Sequence, residues 1–281
     1  MIILKTGLEL SILLEKITCN GTIGYVPTMG ALHEGHLSLI KKCKSESTFT
    51  VCSIFVNPTQ FNDKSDFEKY PVKLEEDIAL LIQAGCDILF LPNVKELYPD
   101  GTTLETYNLG ALETIWEGKY RPGHFQGVCQ VVQRLLSIIK PNKLFMGQKD
   151  YQQCMIIQQL IHLIDFKTEL VICSTIREAS GLAMSSRNVR LSLKAKTAAV
   201  AIFDSMQYVK DNLSSNELEN IKAKVTSNLM INEFSSIDYI AICNALTLES
   251  LTKYDSSVPV VVMIAAFIDG VRLIDNMLIS H

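Results

Sequence analysis

From the start to about residue 175, short β-branched apolar runs alternate with segments of helical period. TIGYV (22–26), TVCSIFV (50–56), DILFL (87–91), KLFM (143–146) and TELVIC (168–173) are apolar nearly throughout, as strands buried on both faces are. Between them HLSLIKKCKSES (36–47), KLEEDIALLIQAG (73–85), HFQGVCQVVQRLLSII (124–139) and YQQCMIIQQLIHLI (151–164) carry apolar residues at helical spacing. That alternation predicts an α/β fold, a Rossmann-like doubly wound parallel sheet with helices on both faces. Ligands of such sheets bind in the loops beyond the carboxyl ends of the strands. After about residue 176 the order becomes two helical segments, roughly 192–212 and 215–230, then the strands IDYIAIC, VPVVVMIAAFI and VRLID. The expected organisation is therefore a first domain over 1–176 and a smaller C-terminal α+β domain over 177–281. The loop from Arg177 to Arg190 lies near the junction, where a cleft is expected.

Composition narrows the function classes. The chain has 281 residues, 48% hydrophobic and 20% charged, which is ample core material and no case for disorder. Its net charge is −4, and no block of Lys or Arg could track a nucleic-acid backbone, so nucleic acid is not an expected partner. A small anion remains open, because a few positive groups in one cleft bind it whatever the global charge. None of the eight cysteines is spaced C-x-x-C, and Cys52, Cys129 and Cys173 sit inside apolar runs, as small core residues of a reducing compartment do. The start, MIILKTGLEL, has acidic Glu9 and no basic-then-apolar leader pattern. The longest apolar stretch, Val258 to Ile268, is too short to span a bilayer. No membrane partner and a cytoplasmic location are expected.

Candidate chemistry lies in the loops after the strands. PTMGALHEGH (27–36) follows the first of these strands and runs into a helix, so free backbone N–H groups and a helix dipole are expected there to favour phosphate. His33 and His36 are three apart with Gly35 between them, and two imidazoles there could stabilise charge on a phosphoryl oxygen. Taken alone, the pair equally describes a glycine turn with two surface histidines; a zinc site lacks a third ligand at suitable spacing. GQKD (147–150) follows KLFM: Lys149 is a compact charge for phosphate, and Asp150 suits a ribose hydroxyl or a metal-bound water, although an exposed turn with an ion pair would look the same. MSSRN (184–188) offers Ser185, Ser186 and Arg187 to a triphosphate, or else a helix cap at Asn188 or Ser192. FVNPTQF (55–61) supplies Asn57 and Gln60, neutral amides suited to a hydroxy acid, and YQQ (151–153) supplies Gln153. GKYRPGHFQGV (118–128) places Arg121 and His124 in a Pro/Gly loop that is either functional or a rigid turn.

There is no G-x-G-x-x-G and no lysine-bearing P-loop. His33, Gly35 and His36 instead resemble the H-x-G-H signature of the nucleotidyltransferase superfamily, and MSSRN is similar to that superfamily's lysine-serine loop. In order and spacing PTMGALHEGH, FVNPTQF, YPVKLEEDIALL, RPGHFQGV, FMGQKDYQQ, GLAMSSRN and VRLIDN together resemble the pantothenate synthetase family across almost the whole chain. Ala31 and Glu34 stand where family members often carry Asn and Asp.

What the resemblance implies is a ligase that joins pantoate to β-alanine with ATP and Mg²⁺, through pantoyl adenylate, releasing AMP and diphosphate. It implies an ATP site of Met29, Gly30, Ala31, Leu32, His33, Glu34, Gly35, His36, Gly147, Gln148, Lys149, Asp150, Ile176, Met184, Ser185, Ser186 and Arg187. Gln60 and Gln153 would hold pantoate, with Gln60 also near β-alanine. His36 would be the general acid, and His33, Lys149 and Arg187 would meet phosphate charge, in a homodimer formed through the larger domain. On physical grounds a departing diphosphate needs charge stabilisation more than a proton. The competing expectations are another H-x-G-H nucleotidyltransferase acting on a small acceptor, which would not need the two glutamines, and a silent nucleotide-binding protein. The small size, the acidic charge and the lack of an RNA-binding module speak against a tRNA synthetase.

Overall fold

The computed structural model describes residues 1–19, 21–61, 67–68, 70–100 and 102–279. Its elements run β1 (Ile2–Leu4), α1 (Gly7–Thr18), β2 (Ile23–Thr28), α2 (Glu34–Glu46), β3 (Phe49–Ile54), α3 (Leu74–Gln83), β4 (Ile88–Phe90), α4 (Val94–Leu97), α5 (Trp116–Tyr120), α6 (His124–Ile139), β5 (Lys143–Gly147), α7 (Tyr151–Leu163) and β6 (Glu169–Cys173). Then come α8 (Leu193–Ala199), α9 (Ala201–Asn212), α10 (Leu218–Ile231), β7 (Ser236–Asn244), β8 (Val260–Ile268) and β9 (Val271–Ile279). Two compact units result: Met1–Gln148 with Gln153–Ser174, and Lys149–Gln152 with Thr175–His281. The first-domain expectation included Lys149 and Asp150; both pack with the second unit, because the Tyr151 hydroxyl donates to Ala245 O at 2.8 Å and Asn276 Nδ2 donates to Lys149 O at 2.8 Å.

The first unit is built on a six-stranded parallel sheet, ordered β1-β4-β3-β2-β5-β6. Alternate residues of each strand feed opposite faces. Tyr25, Val51, Ile88, Phe90 and Leu144 join one apolar cluster with α1, α6 and α7, whereas Val26, Cys52, Leu89 and Phe145 join another with α2 and α3. Double burial is why these strands read as unbroken apolar runs. Strand order reverses between β2 and β5, which makes the loops leaving those strands the topological switch point.

In the second unit β7, β8 and β9 form an antiparallel sheet with β8 central. Its apolar cluster combines Val260, Val262 and Ile264 of β8 with Ile202, Met206 and Val209 of α9 and Ile221, Val225 and Leu229 of α10. The single helix expected over 192–212 is two, since the Val200 N–H bonds back to Thr197 O and Ala198 O and closes α8 before α9 begins. Ser192 caps α8, its hydroxyl accepting from Ala195 N at 3.3 Å.

Candidate active site

The loop after β2 is held by its own residues and by one carboxylate from elsewhere. Gly30 (φ +80°) and Ala31 (φ +49°) both take left-handed backbone. Asp77, 2% exposed on α3, accepts from Ala31 N at 2.9 Å and Leu32 N at 2.7 Å. A Cβ on Gly30 would lie 2.9 Å from Asp77 Oδ2, so the carboxylate sits where only glycine leaves room. Gly30 N donates to Thr28 Oγ1 at 3.3 Å.

Helix α2 begins at Glu34, two residues before the expected start, because the His33 side chain serves as its cap. Gly35 N donates to His33 Nδ1 at 3.1 Å, and His33 N donates to His36 Nδ1 at 3.3 Å, a reciprocal capping box made of two imidazoles. This narrows the expectation of free backbone donors. The N–H groups of Gly30, Ala31, Leu32, His33 and Gly35 are all engaged inside the protein. What those five residues can offer an anion is therefore side-chain chemistry. With Nδ1 accepting in each ring, the neutral imidazoles carry their hydrogen on Nε2, so each is a donor of fixed tautomer. Their centroids are 4.1 Å apart.

After β3 the chain turns through a short 3-10 helix, Pro58–Gln60. Asn57 is 1% exposed and saturated: Nδ2 donates to Gly127 O at 3.0 Å and Gln60 Oε1 at 3.3 Å, while Oδ1 accepts from Tyr98 OH at 3.0 Å and Thr59 Oγ1 at 3.2 Å. Asn57 is thus an internal fixture and Gln60 the amide it orients. Gln60 Nε2 points to Met29 Sδ at 2.9 Å, which joins the β3 loop to the β2 loop. Gly147 ends β5 and Gln148 begins the next turn, both in the first unit, as is half-buried Gln153 in the first turn of α7. The first unit thus holds Met29 to His36, Gln60, Gly147, Gln148 and Gln153.

The remaining candidates belong to the second unit. The Lys149 side chain is 18% exposed, and its ammonium is 4.0 Å from Asp150 Oδ2, a long contact that leaves most of its charge for another anion. The segment 176–190 is a hydrogen-bonded finger: Met184 N donates to Ile176 O at 3.0 Å, Glu178 N to Leu182 O at 2.8 Å, and Asn188 Nδ2 to Ala183 O at 3.0 Å and Glu178 Oε1 at 2.9 Å. Arg177 anchors it to Asp275 with both guanidinium nitrogens, the longer bond 3.1 Å, and donates to Gly181 O at 3.1 Å. Burial of Asp275 pushes its carboxyl above the usual range against the pull of that guanidinium. Ser185 accepts from Arg187 N at 3.3 Å and starts the 3-10 turn Ser186–Arg190 that presents Ser186 and Arg187.

Asp77 and the ordering roles of Asn57, Arg177 and Asp275 escaped the sequence reading. Asp77 sits 46 residues from the loop it holds, in an acidic first turn that looks like a dipole partner. Among the described residues no cluster of three or more His, Cys, Asp or Glu could hold a metal ion, and no helix is long and apolar enough to cross a membrane.

Comparison with known proteins gives one consistent result. The family described as pantoate-beta-alanine ligase matches residues 2–278. A pantothenate synthetase of Cytophaga hutchinsonii is 46% identical over 269 residues, 95% of each chain. One from Pseudothermotoga lettingae is 40% identical over 284 residues, all of both chains. The crystal structure of pantothenate synthetase from Thermus thermophilus aligns over 100% of each chain with a TM-score of 0.93 at 36% identity. A pantoate-beta-alanine ligase from Francisella tularensis, solved with beta-gamma ATP and beta-alanine, covers 99% of this chain and 97% of its own at a TM-score of 0.82 and 40% identity.

Proposed function

Given that the chain belongs to the pantoate-β-alanine ligase family, we propose that it condenses (R)-pantoate with β-alanine through pantoyl adenylate. In the first step a pantoate carboxylate oxygen attacks the α-phosphorus of ATP, and the bond to diphosphate breaks. In the second the β-alanine amine attacks the acyl carbon, AMP leaves with the bridging oxygen, and the amine gives up a proton.

The observation that carries this reading is the pairing, across the carboxyl ends of β2 and β3, of two donor imidazoles with one oriented amide. The imidazoles suit a phosphoryl oxygen gaining charge. The amide suits a small hydroxy acid, because Asn57 fixes its oxygen and, with one N–H on Met29 Sδ, its NH₂ has a second N–H to donate. A nucleotidyltransferase with a phosphorylated acceptor would call for a cation at that position. His36 Nε2, the nitrogen bearing the hydrogen, is the atom through which it would stabilise charge or act as an acid. Lys149 and Arg187 supply the positive charges for the phosphates, and Ser185 and Ser186 the hydroxyls. Gln153 is assigned to pantoate with Gln60.

Mg²⁺ fits as the partner of ATP rather than as a resident ion, since magnesium bound with phosphates keeps several waters and needs at most one or two carboxylates. Asp150, exposed beside Lys149, is a carboxylate that suits one of those waters or a ribose hydroxyl. When bound, the ion neutralises phosphate charge. We also assign the protein to the cytoplasm and to a homodimer. Incubation with ATP, Mg²⁺, pantoate and β-alanine should yield pantothenate, AMP and diphosphate by mass spectrometry. ADP with orthophosphate, or no turnover, would refute the reading.

A further inference from the structure

The segment RPGHFQGV, open in sequence between a functional loop and a rigid turn, contains a side-chain chain with a defined direction. His124 opens α6 and is 5% exposed. Its Nε2 is 3.0 Å from Arg121 NH1, and its Nδ1 is 2.8 Å from the main-chain oxygen of Gln60. A guanidinium can only donate and a carbonyl can only accept. Nε2 is therefore an acceptor and Nδ1 carries the hydrogen, so the two partners select one neutral tautomer. Arg121 is itself braced by Glu117 Oε2 at 3.8 Å, both side chains being largely buried.

The same helix turn holds Gln60 from two further directions. A Cβ on Gly127 would collide with the Thr59 carbonyl and lie 2.8 Å from Gln60 Cα, so only glycine lets the 3-10 turn seat against α6. The Gly127 carbonyl accepts from Asn57, whose other N–H fixes the Gln60 amide oxygen. Backbone and side chain of Gln60 are both referred to α6, the first by His124 and the second by Asn57. A rigid turn needs only shape, which an apolar side chain would supply without burying an imidazole and a guanidinium.

We propose that His124, polarised by Arg121, is a positioning residue for the acid substrate: its Nδ1–H fixes the Gln60 carbonyl and so aims the Gln60 amide. This rests on the assignment of Gln60 to pantoate. The test compares His124→Asn, whose amide can reach the Nδ1 position and donate to Gln60, with His124→Gln, whose amide reaches toward Nε2 and leaves the Gln60 carbonyl without its donor. His124→Leu removes both functions, and Gln60→Ala is run beside them. The expected result is a rise in KM for pantoate of about tenfold or more in the Gln and Leu variants. The Asn variant should recover most of that loss, and ATP affinity should move far less in all three. In ¹⁵N spectra of the parent, the signals lost in His124→Asn should be those of a neutral Nδ1–H ring.

Equal pantoate KM values for the Asn and Gln variants would overturn the proposal even if the Leu variant does not fold, since a purely structural role does not distinguish a donor at Nδ1 from one at Nε2. An Nε2–H signature would overturn it as well. If Gln60→Ala leaves pantoate KM unchanged, the assignment of Gln60 itself falls and the proposal with it. If Gln60→Ala raises KM and the His124 variants do not, only the positioning role is refuted.

Discussion

Removing the Asp77 carboxylate should open the loop after β2, which we propose binds ATP. Asp77 is 2% exposed and accepts from two consecutive N–H groups, those of Ala31 and Leu32. Hydrogen bonds to a charged group contribute roughly 1.5–3 kcal/mol each, and a buried donor left unmet costs about the same. Asp77→Ala strands two donors and also releases the left-handed Gly30–Ala31 pair, so a stability loss of about 3–5 kcal/mol is expected. Asp77→Asn keeps one acceptor but turns an amide NH₂ toward the second N–H, for a loss of about 2–3 kcal/mol. Urea unfolding gives the stabilities, and calorimetric titration with ATP and with pantoate gives the binding. ATP affinity should fall in both variants, and more in Asp77→Ala, with pantoate affected less. If both variants lost under about 1 kcal/mol and bound ATP as the parent does, the loop would be holding its own shape and the carboxylate would be incidental.

Lys149→Ala and His36→Ala should slow adenylate formation by roughly 10²-fold or more, the usual cost of one transition-state donor, and amide formation from supplied pantoyl adenylate less. Single-turnover kinetics separates the two, and equal losses would contradict the electrostatic assignment. Gln153→Ala should weaken pantoate use by about 1–3 kcal/mol with little change in ATP binding, as read by parallel titrations; equal effects on both ligands would make it a fold residue. Burial pushes the thiols of Cys43 up to about 11 and of Cys86, Cys129 and Cys243 up to about 12, so at pH 8 they stay protonated and covered. Iodoacetamide followed by peptide mass spectrometry should mark exposed Cys19 first, and rapid labelling of Cys129 would refute that order.

Much of the architecture was legible because both faces of the sheet are buried. Runs such as TVCSIFV and KLFM leave no polar side to blur them, and the helical period over 124–139 matches α6, which has left-handed backbone at Gly123 and Lys140 on either side. The first eighteen residues give a weaker signal in sequence, where Thr6 and Glu9, the capping pair at the start of α1, are the main cue. Strand β1 is only three residues long and its Ile2 and Ile3 are exposed, so it carries no burial pattern. Among the candidate residues, those whose chemistry is local can be picked out in sequence: two histidines in a glycine loop, a lysine after a strand, a serine-arginine turn. Residues that act by reaching across the fold cannot. Asp77 looks like Glu75 and Glu76 until the sheet brings α3 beside the β2 loop, and Asn57 looks like a ligand contact until its four bonds are counted.

The return of Lys149–Gln152 to the second unit bears on how such a protein can be taken apart or recombined. The chain leaves the first unit after Gln148, re-enters it at Gln153 and leaves again after Ser174, so no single cut yields two complete pieces. A fragment ending near residue 174 would carry Lys149 in its sequence while lacking Ala245 and Asn276, which hold that turn by its Tyr151 hydroxyl and its Lys149 carbonyl. The lysine is encoded with one module and shaped by the other. Exchanging C-terminal halves between relatives therefore transplants the mould of the Lys149 turn while leaving the lysine behind, and a functional chimera has to match the two across the splice.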